Sequence, residues 1–328
     1  MRFALLGWWV ALGAAPAQPR VPGGAVRGAA GGLRHARFYG IASSRTLNHV
    51  NRNDAKASLK VWFDELGKQN GFVLDSKVDV ADDVGEIRER LESHTVDILV
   101  LDIAEYLELE SSRLVVPVLT HARDEQGRAL YPYVLLANPA SPATALAGLR
   151  GKNALVSSRD ASNAGLAWMD VLLAKEKLGR AASFFASLKI ADKPQACILP
   201  VFFGAADACV VDEIDFELAR ELNPQVGRLR VLERSRPMIE SLVAMPAEPI
   251  PYAGEIIDAM LALGRDPRGR QLLSVFKTGS LVRIHPGDLD AGRELWRDYY
   301  RLPGSLANRP AGFAAAESDR ADRGRERY

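Results

Sequence analysis

The chain has 328 residues, of which 48% are hydrophobic and 25% are charged. This composition is typical of a soluble globular protein, and the length predicts about two compact units at roughly 100 to 200 residues per domain. Its 42 Lys and Arg residues nearly balance 41 Asp and Glu residues, which argues against general nucleic-acid binding because that requires a basic face. Two Cys and five scattered His leave little for a metal site, and no motif indicates a cofactor.

The amino terminus predicts an export signal. An apolar run, residues 3–15, follows Arg2 and leads into the small residues Ala15-Pro16-Ala17. The run is shorter than the about 20 apolar residues that span a membrane, and its end is typical of a signal-peptide cleavage site. A buried helix is the alternative, but residues 18–36 form a linker rich in Gly, Pro and Ala that could not anchor it. We therefore expect residues 1–17 to be cleaved and the mature protein to be periplasmic, without a lipid anchor.

From residue 37 onward, strand and helix patterns alternate. A short apolar strand over 37–41 precedes a helix whose apolar residues, within 59–66, recur at helical spacing. A strand over 78–80, an amphipathic helix over 84–91 and a fully apolar strand over 97–101 follow. This alternation is the signature of a doubly wound α/β unit.

The pattern restarts after an apolar stretch at residues 114–119. The second unit is predicted to contain strands over 133–137, 154–156, 188–190 and 207–211 and helices over 144–149, 163–178 and 194–203. A strand over 241–245 and helices over 253–263 and 267–276 complete the core. Beyond His285 the chain is increasingly polar, and dense mixed charge over 318–328 predicts a disordered tail.

Signatures of catalysis are missing from the sequence. It holds no G-x-G-x-x-G loop, no P-loop, no G-x-S-x-G elbow and no H-x-x-x-H pair. What remain are polar loops at the carboxyl ends of strands, where open α/β sheets bind ligands. Ser43, Ser44 and Arg45 follow the first strand, and Ser162 precedes a helix whose first amides favour an anion. A plain N-cap is an equal alternative for Ser162.

Cys197 and Cys209 both lie in apolar stretches. A disulfide between them is allowed in an oxidising compartment, whereas a free buried Cys is a common small hydrophobic residue. The sequence leaves these alternatives open. A nucleophilic role is disfavoured because no His lies near either residue in the sequence.

The order of six segments is more specific than any single motif. They are residues 38–46, 96–106 with Val-Asp and Ala-x-Tyr, 146–156 with Leu-x-x-Leu-x-Gly-Lys, 160–165, 206–212 with Ala-Asp-Ala, and 264–273 with Asp-Pro-x-Gly-x-x-Leu-Leu. This order resembles the substrate-binding proteins of phosphate, phosphite and phosphonate ABC transporters, over roughly residues 38–284.

The resemblance implies an α/β type II periplasmic-binding-protein fold. Two lobes, each a doubly wound sheet with flanking helices, would enclose a ligand cleft. Lobe 1 would comprise residues 37–128 and 238–284, and lobe 2 residues 129–237. Residues 285–328 would be a C-terminal extension with the disordered charged tail.

The family's binding roles carry over unevenly. Its anion site at a helix start maps onto Ser162, Asn163 and Ala164, with fewer hydroxyls than phosphonate binders have. Lys193 falls near the position of a family His. Asp212 matches an acidic residue that faces the amine of aminophosphonates, with helix capping as the alternative.

Lobe 1 and the hinge supply the remaining expected ligand contacts. These are Ser43, Ser44, Arg45 and Tyr106 from lobe 1, and Arg236 near the hinge. Asp102 stands where the family usually has a small residue. Its carboxylate would repel a phosphonate dianion unless Arg45 or Arg236 neutralised it.

We therefore expect an exported monomer that captures a small anion of the phosphate, phosphite or phosphonate class between its lobes. It would deliver this ligand to an ABC transporter permease or to a periplasmic sensor, with no cofactor and no catalysis. An enzyme on the same fold is one alternative. An orphan member that serves a different ligand or a protein partner is another.

Overall fold

The structure is a computed structural model that describes residues 34–47, 51–69, 72–123, 127–157, 163–265 and 267–304. The predicted signal peptide, most of the linker, Ser162 and the charged tail lie outside these residues. The strands are β1 Arg34–Ser43, β2 Phe72–Ala81, β3 Ile98–Asp102, β4 Val115–Ala122, β5 Tyr133–Ala137, β6 Asn153–Ser157, β7 Ser187–Ala191, β8 Ala208–Asp212, β9 Arg230–Arg234, β10 Ser241–Pro246 and β11 Ser280–Arg283. The helices are α1 Arg52–Gln69, α2 Val84–Glu92, α3 Ile103–Glu110, α4 Ala164–Lys175, α5 Ala181–Phe184, α6 Gln195–Phe202, α7 Glu213–Leu222, α8 Ala253–Ala262, α9 Pro267–Val275 and α10 Asp290–Tyr300.

The first sheet has six strands in the order β11-β4-β10-β3-β1-β2. β1 pairs in parallel with β2 and β3, whereas β10 lies antiparallel between β3 and β4. The apolar strand β3 is almost wholly buried, because helices cover both faces of the sheet. α2 and α3 cover one face, and α1, α8 and α9 cover the other. We call this sheet and these helices lobe 1.

The second sheet has five strands in the order β7-β6-β8-β5-β9. Every residue of β5 and of β8 is buried, so these two apolar strands form the centre of the sheet. α4 packs on one face, and α6 and α7 pack on the other. We call this sheet and its helices lobe 2.

The chain crosses between the lobes twice, before β5 and after β9. The two crossing segments lie side by side because Tyr131 and Met238 exchange backbone hydrogen bonds, each with an N···O distance of 3.1 Å. These crossings place the carboxyl ends of β1 and β3 opposite the carboxyl ends of β6 and β8. We call the edges of the two sheets that meet here the cleft edges.

The C-terminal extension contains a packed helix, which the polar composition of this segment did not predict. α10 contacts α3 of lobe 1 and α4 of lobe 2, and it buries Leu295, Trp296 and Tyr300. Lys175 of α4 pairs with Asp298 at 3.0 Å. The apolar residues of α10 recur at helical spacing among charged ones, so average polarity concealed an amphipathic helix.

Both cysteines are buried free thiols in the structure, so the disulfide that the sequence allowed is not formed. Cys197 lies on α6 and Cys209 on the adjacent strand β8. Burial raises the pKa of Cys197 to about 12 and raises the pKa of Cys209 as well. Among the described helices, none is long and apolar enough to cross a membrane.

Candidate functional site

A buried arginine joins the two lobes where the cleft edges meet. Arg123 directly follows β4 of lobe 1, and its guanidinium contacts Asp212 at 3.1 Å and Asp215 at 2.6 Å in lobe 2. All three side chains are at least nine-tenths buried. Burial lowers the pKa of Arg123, but the charges of Asp215 and Asp212 outweigh that effect and raise it. The arginine therefore stays charged and holds the lobes together at this point.

Glu240 and Tyr133 complete this junction. Glu240 precedes β10, and its carboxylate accepts a hydrogen bond from the Tyr133 hydroxyl of lobe 2 at 2.7 Å. Its backbone carbonyl accepts from Ile103 at the start of α3 at 2.9 Å. Burial, followed by the charge of Glu240, raises the pKa of Asp212. Arg123 pairs with Oδ2 of Asp212, and this side chain is only 3% exposed, so the expected contact with a ligand amine would require the junction to open.

The cleft edge of lobe 1 carries a buried network around Ser43. The Ser43 hydroxyl donates to Glu105 at 2.6 Å and accepts from the backbone N–H of Arg45 at 3.1 Å. Asp102 and Glu105 form a capping box at the start of α3. Arg45 contacts Asp102 at 2.7 Å and Glu105 at 3.8 Å. The expected neutralisation of Asp102 is therefore supplied by Arg45.

Two buried carboxyls next to one arginine have shifted pKa values. Burial raises the pKa of Asp102, although the charge of Arg45 opposes this effect. Burial and the charge of Asp102 raise the pKa of Glu105 to about 7. The network is thus close to neutral or mildly negative at neutral pH, and it would disfavour a dianion in contact with it.

Several other expected contacts have partners within the protein. Ser44 hydrogen-bonds the Asp82 carboxylate. The hydrogen bond from Arg52, and after it the one from Ser44, lowers the pKa of Asp82. Arg236 is exposed and forms an ion pair with Glu294 of α10. Tyr106 was expected in the cleft, but it is buried in lobe 1 and donates to Glu110 at 3.0 Å. Its ring belongs to the apolar core under α3, because the residue lies on the face of the helix that packs inward.

The cleft edge of lobe 2 offers several hydrogen-bond donors. Asn163 begins α4 in the left-handed conformation and provides no side-chain cap, and the backbone amides of Ala164 and Gly165 lie in the first helical turn, before any intrahelical acceptor. Ser157 ends β6 and is 7% exposed, and its buried hydroxyl has no hydrogen-bond partner in the described part of the chain. Lys193 is exposed in the loop after β7, at the same edge.

Sequence reasoning missed Arg123, Glu105 and Ser157. Arg123 lies in a polar segment between the apolar stretch at 114–119 and the strand predicted over 133–137. No feature of this segment indicated an ion pair between the lobes. Glu105 was visible three residues after Asp102, a spacing that indicates a capping box. Ser157 directly follows the strand predicted over 154–156, and this position at the carboxyl end of a strand could have identified it.

The arrangement suits reversible capture of a small ligand. Polar groups from both lobes meet at the cleft edges, and the hydrogen-bond donors at the end of β6 and at the start of α4 belong to lobe 2. Such donors bind an anion without forming or breaking a covalent bond.

Comparisons with known proteins point to one class. A sequence model of the family described as ABC transporter, phosphonate, periplasmic substrate-binding protein matches residues 47–289. No curated protein is similar enough to count as a match.

Solved structures share the architecture at low sequence identity. XAC2383 from Xanthomonas citri bound to chloride ion has a TM-score of 0.57 and 16% identity, covering 81% of this chain and 98% of that chain. A binding protein component of an ABC phosphonate transporter from Pseudomonas aeruginosa has a TM-score of 0.54 and 14% identity, covering 89% of this chain and 98% of that chain. PhnD1 from Prochlorococcus marinus in complex with methylphosphonate has a TM-score of 0.53 and 14% identity, covering 81% of this chain and 99% of that chain.

Proposed function

This chain belongs to the family of periplasmic substrate-binding proteins of phosphonate ABC transporters, and from that premise we propose that it captures a phosphonate-class anion in the cleft between its lobes. The observation that carries the proposal is the family match over residues 47–289, which spans both lobes and both crossings. The α/β two-lobe architecture agrees with the expected type II periplasmic-binding-protein fold.

The anion-binding groups in this proposal lie mainly in lobe 2. The buried Ser157 hydroxyl would donate to a phosphonate oxygen, since it has no partner within the described residues. The first-turn amides of α4, at Ala164 and Gly165, would provide further donors. Asn163 and Lys193 remain proposed contacts at the same edge, as does Ser162, which lies outside the described residues.

Charge favours a ligand of low negative charge. Arg45 is shared between Asp102 and Glu105, so the positive charge of Arg45 is already used within lobe 1. A phosphonate monoanion or monoester would therefore bind better than a phosphate dianion. Asp212 pairs with Arg123, so recognition of a ligand amine by that carboxylate is not part of the proposal.

The protein would release its ligand unchanged. The family acts in transport, and we propose that a permease in the inner membrane accepts the closed protein as a monomer. A periplasmic sensor domain is the other proposed partner. Cleavage of residues 1–17 would place the mature chain in the periplasm.

A thermal-shift titration of the full mature chain tests this function. Methylphosphonate, phosphite, phosphate and sulfate are compared, and the matching ligand at 100-fold over its Kd should raise the Tm by about 4 to 5 °C. Ser157→Ala should weaken binding about tenfold, because a hydrogen bond to a charged group is lost. Ser183→Ala, which changes an exposed lobe 2 hydroxyl, should bind like the wild type. No stabilisation by any phosphorus oxyanion, or conversion of the ligand to a product, would contradict the proposal.

A further inference from the structure

Lobe 1 contains an apolar cavity of about 190 Å³ that the proposed anion contacts do not use. It lies between the sheet and helices α1, α8 and α9. Its walls include Trp62, Val100, Met260, Leu273 and Phe276. Protein interiors are normally close-packed, so a cavity of this size in a lobe core is a space that a ligand group could fill.

The cavity opens at the cleft edge of lobe 1. Its lining includes Thr46, which follows β1, His121 at the end of β4, Ser241 at the start of β10 and Thr278 just before β11. These four positions share one edge of the sheet because β4 runs antiparallel to both β10 and β11. A group inside the cavity would therefore remain connected to the cleft between the lobes.

One positive charge at the cavity mouth has no partner within the described residues. His121 shares a hydrogen bond of 3.1 Å with Ser241, and Arg123 is held by Asp212 and Asp215. By contrast, the Lys277 ammonium group forms neither an ion pair nor a hydrogen bond in the described part of the chain. The Glu240 carboxylate also lines the cavity, where it accepts a hydrogen bond from the Tyr133 hydroxyl and lies 4.0 Å from Arg123. Because these charges are paired with each other, the Lys277 ammonium group is left to complement an anionic group attached to an apolar body.

The volume sets the size of that apolar body. A dry apolar cavity of about 150 Å³ in another protein is large enough to bind benzene. A cavity of about 190 Å³ therefore accepts an aromatic ring or an alkyl chain of about six carbon atoms. A methyl group would leave most of this space empty.

We propose that this cavity binds the apolar substituent of the ligand, so that the substrate class is alkyl- or arylphosphonates with about four to eight carbon atoms. The substituent enters lobe 1, and the phosphonate lies in the cleft, where Lys277 adds a positive charge. This inference rests on the proposed function, since it specifies the organic group of the same ligand.

Calorimetric titration of the wild-type chain with methyl-, butyl- and hexylphosphonate tests the proposal without relying on any variant. Each added methylene should increase affinity by two- to fourfold, as expected for apolar surface leaving water. Leu273→Trp, which fills the cavity, should abolish the gain with chain length. Leu222→Trp, a change on an exposed face of α7, should leave the gain in affinity with chain length unchanged. Lys277→Gln should weaken hexylphosphonate binding by two- to fivefold.

Hexanoate separates failure of this inference from failure of the proposed function. Equal affinities for methyl- and hexylphosphonate would overturn the inference and leave the proposed function standing. Binding of hexanoate but of no phosphonate, with loss in Leu273→Trp, would support the cavity as a ligand site and overturn the phosphonate assignment. Binding of none of these compounds would overturn both.

Discussion

The inter-lobe ion pair at Arg123 makes a sharp prediction about stability. Replacing Arg123 with Met keeps an unbranched side chain but removes the charge that faces Asp212 and Asp215 at 3.1 and 2.6 Å. The three side chains are 8%, 3% and 6% exposed, so water cannot replace the lost partner. Removing one member of such a buried pair costs about 3 to 5 kcal/mol. We expect Arg123→Met to lower the free energy of unfolding by that amount at neutral pH.

The loss should depend on pH with a defined sign. Burial and the charge of Glu240 already raise the pKa of Asp212. Without Arg123 this pKa rises further in the folded protein, which then binds more protons than the unfolded chain. Stability of the variant therefore falls as pH rises between the ordinary carboxyl pKa and the raised one. The difference from wild type should be larger at about pH 8 than at about pH 5.

Urea unfolding monitored by tryptophan fluorescence at both pH values measures these differences. Arg128→Met is the matched control, since Arg128 also pairs across the lobes, with Glu217 at 2.9 Å, but is half exposed. The control should lose less than about 1 kcal/mol. Adding Asp212→Asn and Asp215→Asn to Arg123→Met should recover part of the loss. An Arg123→Met variant as stable as the control at both pH values would refute this reasoning.

Three further predictions follow from buried groups elsewhere. The Glu105 pKa of about 7 lies above its ordinary value, so wild-type stability should fall by up to about 3 kcal/mol as pH rises from about 5 to 8. Glu105→Gln should flatten this dependence in melting curves recorded across that pH range. An unchanged slope would contradict the raised pKa. Trp296→Ala should lower the free energy of unfolding in urea by about 3 to 5 kcal/mol, because this side chain of α10 is buried. Glu294→Ala, on the outer face of α10, should lower it by less than about 1 kcal/mol. Similar losses for the two variants would count against the packing of α10. Cys197 and Cys209 should react with a thiol reagent only after unfolding, and an intact mass lower by two hydrogen atoms would reveal a disulfide instead.

Much of the fold follows from local patterns in the sequence. The strands β3, β5 and β8 are short apolar runs bounded by polar residues, which is typical of strands covered on both faces. By contrast, β9 and β11 were not predicted. Both are edge strands of four or five residues that contain Arg, and an edge strand needs little apolar sequence because it is only partly covered.

The site was harder to predict because the contacts between its side chains depend on the tertiary structure. The sequence placed Ser43, Arg45 and Asp212 correctly at the ends of strands, but it could not show which groups they contact. Arg45 is used by Asp102, and Asp212 is used by Arg123 from across 89 residues of sequence. The cavity beside Lys277 likewise arises from helices that are distant along the chain, so no local motif marks it.

Phosphorus NMR of the purified mature chain with methylphosphonate and hexylphosphonate tests the central claim most directly. We predict that the phosphonate signal broadens or shifts when protein is added, that excess hexylphosphonate displaces methylphosphonate, and that unfolding the protein returns each compound unchanged. Signals that stay free and sharp at stoichiometric protein, or a new phosphorus species after incubation, would contradict the assignment of this chain as a phosphonate-capturing transport protein.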